Sequence, residues 1–95
     1  MTNFNIAVLV SGNGSNLQSL IDFSNNKDSG FNISCVATNN PEAKALKRIR
    51  KTEISSISLN NKNFKNREEF DKEMINQLSE YDLDLIVLAG YMRIL

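Results

Sequence analysis

Ser11-Gly12-Asn13-Gly14-Ser15-Asn16 lies between the apolar run Ile6-Ala7-Val8-Leu9-Val10 and the helically spaced Leu17, Leu20 and Ile21. This order reads as a buried strand, a glycine loop and a helix start. Such a turn presents bare backbone N–H groups and hydroxyls to an anion. The two glycines let the backbone approach a ligand closely, while Ser15 and Asn16 can cap the helix and donate hydrogen bonds outward. Gly12, Asn13, Gly14, Ser15 and Asn16 are therefore the candidate seat of a phosphate. The same residues also fit an ordinary tight turn with a helix cap.

The loop excludes two familiar nucleotide sites. A dinucleotide fingerprint needs a third glycine where Leu17 stands, and an acid for the ribose, which Thr38-Asn39-Asn40 do not supply. A triphosphate loop ends in Gly-Lys-Ser/Thr, and this loop contains no lysine. A small phosphorylated ligand remains.

The second constellation is Gly90-Tyr91-Met92-Arg93-Ile94-Leu95, where large apolar side chains and a cation follow an apolar strand in place of a polar turn. It could line a slot for a flat heterocycle, with backbone groups bonding the ring edge. Equally, Met92, Ile94 and Leu95 could pack beneath the fold while Arg93 pairs with a carboxylate.

These residues need a scaffold, and composition bounds it. With 95 residues and 41% hydrophobic content the chain is one domain at most, large enough for a core but small for a complete doubly wound enzyme. Eleven basic and eleven acidic residues cancel, which argues against a nucleic-acid surface or an anionic membrane as partner. Met1-Thr2-Asn3-Phe4-Asn5 carries no basic region and the following apolar run is short, so neither a signal peptide nor a membrane span is expected, and the chain reads as cytoplasmic. Cys35 is alone and reads as packing, with a reactive thiol as the lesser alternative. With one cysteine and no histidine, no transition-metal site is expected.

Four strand patterns alternate with three helix patterns, which predicts an α/β fold with a Rossmann-like parallel sheet. The strands are Asn5–Val10, Asn32–Thr38, Ser55–Leu59 and Leu85–Ala89. The first helix is Asn16–Ser24, facing inward with Leu17, Leu20 and Ile21. The second starts with Asn40 as cap, Pro41 at the first helical position and Glu42 in the first turn, and buries Ala43, Leu46 and Ile49. Lys47, Arg48, Arg50 and Lys51 suit the negative end of its dipole. The third, Asn66–Tyr81, places Phe70, Met74, Ile75, Leu78 and Tyr81 on one face. The fourth strand is apolar throughout, as in a strand covered on both faces. Right-handed crossovers build a parallel sheet, and the doubly wound order 3-2-1-4 sets strands one and four side by side at the reversal point, where ligands bind. In that order strand four is also an edge, and its apolar sequence is an aggregation hazard.

Val8-Leu9-Val10-Ser11-Gly12-Asn13-Gly14-Ser15-Asn16-Leu17-Gln18, Arg67-Glu68 before a helix, and Asp84-Leu85-Ile86-Val87-Leu88-Ala89-Gly90-Tyr91-Met92-Arg93-Ile94-Leu95 resemble the phosphoribosylglycinamide formyltransferases, the folate-dependent transformylases of purine biosynthesis. The resemblance runs over essentially the whole chain and is weakest through Thr52–Asn63. It implies that residues 1–95 are the amino-terminal half of the formyltransferase domain, without its catalytic half. It further implies that Gly14, Ser15 and Asn16 hold the phosphate and ribose of glycinamide ribonucleotide. Met92, Arg93, Ile94 and Leu95, together with Arg67, would contact formyl-tetrahydrofolate. From sequence alone, an arginine in the first turn of a helix also fits a solvated position.

Formyl-tetrahydrofolate deformylase resembles the fourth-strand ending but typically has arginine at the position of Gly90 and lacks the Gly-Asn-Gly-Ser-Asn loop. Methionyl-tRNA formyltransferase has a different first loop. The family's chemistry uses an Asn-x-His motif and a later aspartate to assist attack of the glycinamide amine on the formyl carbon. This chain has no histidine, so no catalytic residue is carried over and the 95 residues alone are expected to be inactive. The alternative from another class is a stand-alone phosphate-ligand binding or regulatory module.

Overall fold

Strand β1, Phe4–Val10, is the spine of the molecule because its five consecutive apolar side chains from Ile6 to Val10 are all buried. The computed structural model describes residues 4–26, 30–50, 52 and 54–91. Strand β2, Phe31–Thr38, lies parallel to β1 on one side, with a register shift between Ile6 and Ala7. Strand β4, Leu85–Leu88, lies parallel to β1 on the other side, pairing Ile6 with Leu85 and Leu9 with Leu88. Strand β3, Ser55–Ser58, extends the sheet beyond β2. The order β3-β2-β1-β4 is the doubly wound order expected from the sequence.

Alternate side chains of β1 feed two cores, as the two-residue period of a strand requires. On one face Ile6, Val8 and Val10 meet Leu17 and Ile21 of helix α1, Ser15–Ser24. On the other, Ala7 and Leu9 meet Phe70, Met74 and Leu78 of helix α2, Arg67–Leu78. Cys35 belongs to the second core, and its burial pushes the thiol pKa up to about 11. That is the packing role expected of it. Helix α2 begins where Asn66, in extended conformation, accepts a hydrogen bond on Oδ1 from the Glu69 N–H at 2.9 Å.

Three expectations change. The second helix does not form: Pro41 and Glu42 lie in a turn, and only a 3-10 segment, Lys44–Arg48, follows. The Asn40 side chain is spent on the Glu42 N–H at 3.0 Å, and Ala43 is extended with ψ 132°. Of the residues assigned to its inner face, Ala43 and Ile49 are buried and Leu46 is half-buried, while Ala45 is fully buried. Ile75 does not join the core face of α2; it is 54% exposed. Nor is β4 covered on both faces, since it stands at the sheet edge with Leu85 58% and Leu88 51% exposed.

Candidate functional site

The loops that follow β1 and β4 share one mouth. The Ala89 N–H donates to the Leu9 carbonyl at 2.9 Å, and the Ser11 N–H donates to the Gly90 carbonyl at 3.3 Å. The convergence of these two glycine-bearing strand ends is a direct result of parallel pairing of β1 with β4. On the opposite side of β1, the Ser11 hydroxyl donates to Asn39 Oδ1 at 2.8 Å, tying the start of the loop to the end of β2. Thr38, buried despite its hydroxyl, accepts from the Asn40 N–H at 3.1 Å and so shapes that turn.

Gly14 is the N-cap residue of α1, with φ 81° and ψ 25°, and no side chain caps this end. Ser15 and Asn16 are thus not caps but the first two residues of the helix, which is a correction to the sequence reading. A left-handed cap favours glycine, because a Cβ there crowds the following carbonyl. The first helical bond runs from the Gln18 N–H to the Gly14 carbonyl at 2.9 Å. The N–H groups of Ser15, Asn16 and Leu17 consequently have no partner within the helix. With exposed Gly12, Asn13, Ser15 and Asn16 around them, they form a donor-rich helix entrance.

The 3-10 segment Lys44–Arg48 lies against this loop. The Ala45 N–H donates to the Gly12 carbonyl at 3.0 Å. Arg48 donates from Nε to the Asn13 carbonyl at 2.9 Å and from Nη2 to Asn13 Oδ1 at 3.1 Å. Sequence reasoning assigned Arg48 to dipole compensation and missed this contact, for which no local signal exists. Beside the loop, sharing Ser11 with it, opens a cleft of about 590 Å³ lined by Asn39, Asn40, Asn60, Glu42 and Lys62.

The second set of expected contacts is less complete. Arg67 is the exposed first residue of α2, which packs on the face of the sheet opposite α1. Tyr91 is half-buried against the α2 core, one residue after Gly90 with φ 76°. Met92, Arg93, Ile94 and Leu95 lie outside the described residues. Among the described residues no group of three His, Cys, Asp or Glu could hold a metal ion, and no helix is long and apolar enough to cross a membrane.

A parallel α/β sheet with a glycine loop between its inner strand and first helix, opening where the strand order reverses, defines the class of Rossmann-like domains. Within that class the chain belongs to the formyl transferase family, whose model matches residues 4–95. It is 42% identical over 91 residues to phosphoribosylglycinamide formyltransferase of Escherichia coli (strain K12), covering 96% of this chain and 43% of that protein. It is 41% identical over 90 residues to the human trifunctional purine biosynthetic protein adenosine-3, covering 95% of this chain and 9% of that protein. The crystal structure of phosphoribosylglycinamide formyltransferase from Brucella melitensis superposes with a TM-score of 0.94 at 28% identity, covering 99% of this chain and 49% of that one. The Coxiella burnetii protein, solved in complex with CHES, superposes with a TM-score of 0.91 at 36% identity, covering 98% and 44%. The chain thus spans less than half the length of these bacterial relatives.

Proposed function

We propose that these residues form the ribotide-binding part, and one side of the folate site, of an enzyme that transfers a formyl group from formyl-tetrahydrofolate to the amine of glycinamide ribonucleotide. The observation that carries this reading is the glycine loop of Gly12–Asn16 at the mouth shared by β1 and β4, with left-handed Gly14 opening α1. The phosphate sits against the N–H groups at the start of α1, within hydrogen-bond reach of Gly14, Ser15 and Asn16, and Gly12 and Asn13 complete the loop. Arg67 and the segment Met92–Leu95 take the folate side. The name of the E. coli relative, phosphoribosylglycinamide formyltransferase, at 42% identity supports formyl transfer to the ribotide, and the human relative at 41% supports a place in purine biosynthesis.

The division of labour follows from the residue types. Binding and orientation need N–H donors and a close-approaching backbone, which this loop has. Proton transfer from the attacking amine near neutral pH is commonly served by an imidazole, and the chain contains no histidine. The 95-residue chain accordingly binds without turnover.

The test is isothermal titration with glycinamide ribonucleotide, alongside an assay of formylglycinamide ribonucleotide formation using the full-length E. coli relative as control. Ribotide binding without turnover is the expected result. Absence of ribotide binding overturns the site assignment, and turnover at the control's rate overturns the division of labour.

A further inference from the structure

We infer that Arg48 is a positioning residue for the phosphate, acting through Asn13; this rests on the ribotide site proposed above. Its guanidinium meets two acceptors of one residue at once, the Asn13 carbonyl at 2.9 Å and Asn13 Oδ1 at 3.1 Å. The planar fork of arginine suits such a paired contact, whereas the lysine ammonium is a point charge.

The consequence runs through peptide planarity. In a trans peptide the C=O and the following N–H point in opposite directions. The Gly12 carbonyl is drawn to the Ala45 N–H, and the Asn13 carbonyl is drawn to Arg48. The N–H groups of the same two peptides, on Asn13 and Gly14, are therefore turned away from the Lys44–Arg48 segment. They join the partner-free N–H groups at the start of α1. The contact to Oδ1 likewise leaves the Asn13 Nδ2 as the outward donor of that side chain. Arg48 Nε also lies 3.2 Å from the point that a Cβ on Gly14 would occupy, so its charge stands beside the loop. One side chain thus sets the direction of the donors and adds positive potential where the anion arrives.

The experiment titrates inorganic phosphate into the ¹⁵N-labelled 95-residue chain, follows the amides of Asn13 to Leu17, and measures the urea midpoint of every variant. Arg48→Met is expected to weaken phosphate binding about tenfold, the scale of one charged hydrogen bond. Arg48→Lys keeps the charge without the fork and is expected to recover only part of this loss. Arg48→Gln keeps a donor without the charge and serves if Arg48→Met does not fold; weakened binding by the folded variant is again expected. A role confined to stability would lower the urea midpoint and leave the Kd of the folded protein unchanged. That outcome overturns the inference, as does full recovery of affinity in Arg48→Lys. Shifts absent from Asn13–Leu17 in the unsubstituted chain overturn the phosphate site and this inference together, whereas normal shifts with indifferent Arg48 variants overturn only the role of Arg48.

Discussion

Ala45 occupies the space that a side chain on Gly14 would need: its Cβ lies 2.6 Å from the position of a Cβ built on that glycine. Gly14 also has φ 81°, in the left-handed region. Steric room and backbone conformation thus select the same residue for separate reasons. The contact lets the 3-10 segment approach closely enough for the Ala45 N–H to reach the Gly12 carbonyl.

Gly14→Ala is expected to destabilise the chain by more than the roughly 1–2 kcal/mol of left-handed strain, because the added methyl also displaces Ala45. Gly14→Val, which is larger and β-branched, should lose phosphate binding as well. Gly12→Ala is the control: nothing lies within 4 Å of its added Cβ, so its stability should stay within about 0.5 kcal/mol. Urea midpoints and phosphate titration read both effects.

Asn66→Ala removes the side-chain oxygen that caps the Glu69 N–H. A loss of about 1 kcal/mol in urea unfolding is expected, with Asn66→Asp close to the unsubstituted chain.

The edge strand β4 leaves Leu85, Ile86 and Leu88 exposed. Leu88→Lys should reduce light scattering by concentrated protein and change the unfolding free energy little, because a charged edge discourages strand pairing between molecules. Scattering equal to that of the unsubstituted chain would count against β4 as the self-association surface.

Burial raises the Cys35 thiol pKa from its ordinary value of 9.0 to about 11. Above pH 9 the unfolded chain loses this proton while the folded chain keeps it, so the thiol's contribution to stability is complete below pH 9 and falls as pH rises toward 11. The decline in the urea midpoint over that range should be shallower in Cys35→Ala than in the unsubstituted chain. In the folded protein at pH 8, labelling of Cys35 by a thiol reagent should be slow and should accelerate with urea.

Much of the architecture is legible in the sequence. The apolar runs of β1 and β4, the position of Gly12, Gly14 and Gly90 just past those strands, and the periodic Phe70, Met74 and Leu78 are local patterns. The expected second helix is where local signal and tertiary structure part most. Asn40, Pro41 and Glu42 carry a correct helix-start signal, but here Asn40 closes a short turn and Ala45 gives its N–H to Gly12. Ile75 failed for a related reason: helical spacing places it beside Leu78 and Tyr81, yet it borders a shallow apolar groove with Leu83 and Ile86 instead of entering the core.

The sequence by itself determined the parallel α/β class and the location of the glycine loop, because strand and helix periods and backbone-permissive glycines are properties of neighbouring residues; the order 3-2-1-4 followed from the doubly wound fold that this alternation implies. Tertiary structure alone decided which groups hold that loop. Ser11 is tied to Asn39, Gly12 to Ala45 and Asn13 to Arg48, the last across 35 positions of chain. A polar group's partner is the one that packing brings within about 3 Å at a good angle, and that distance exists only once β1 and β2 are paired and the segment after β2 has folded back.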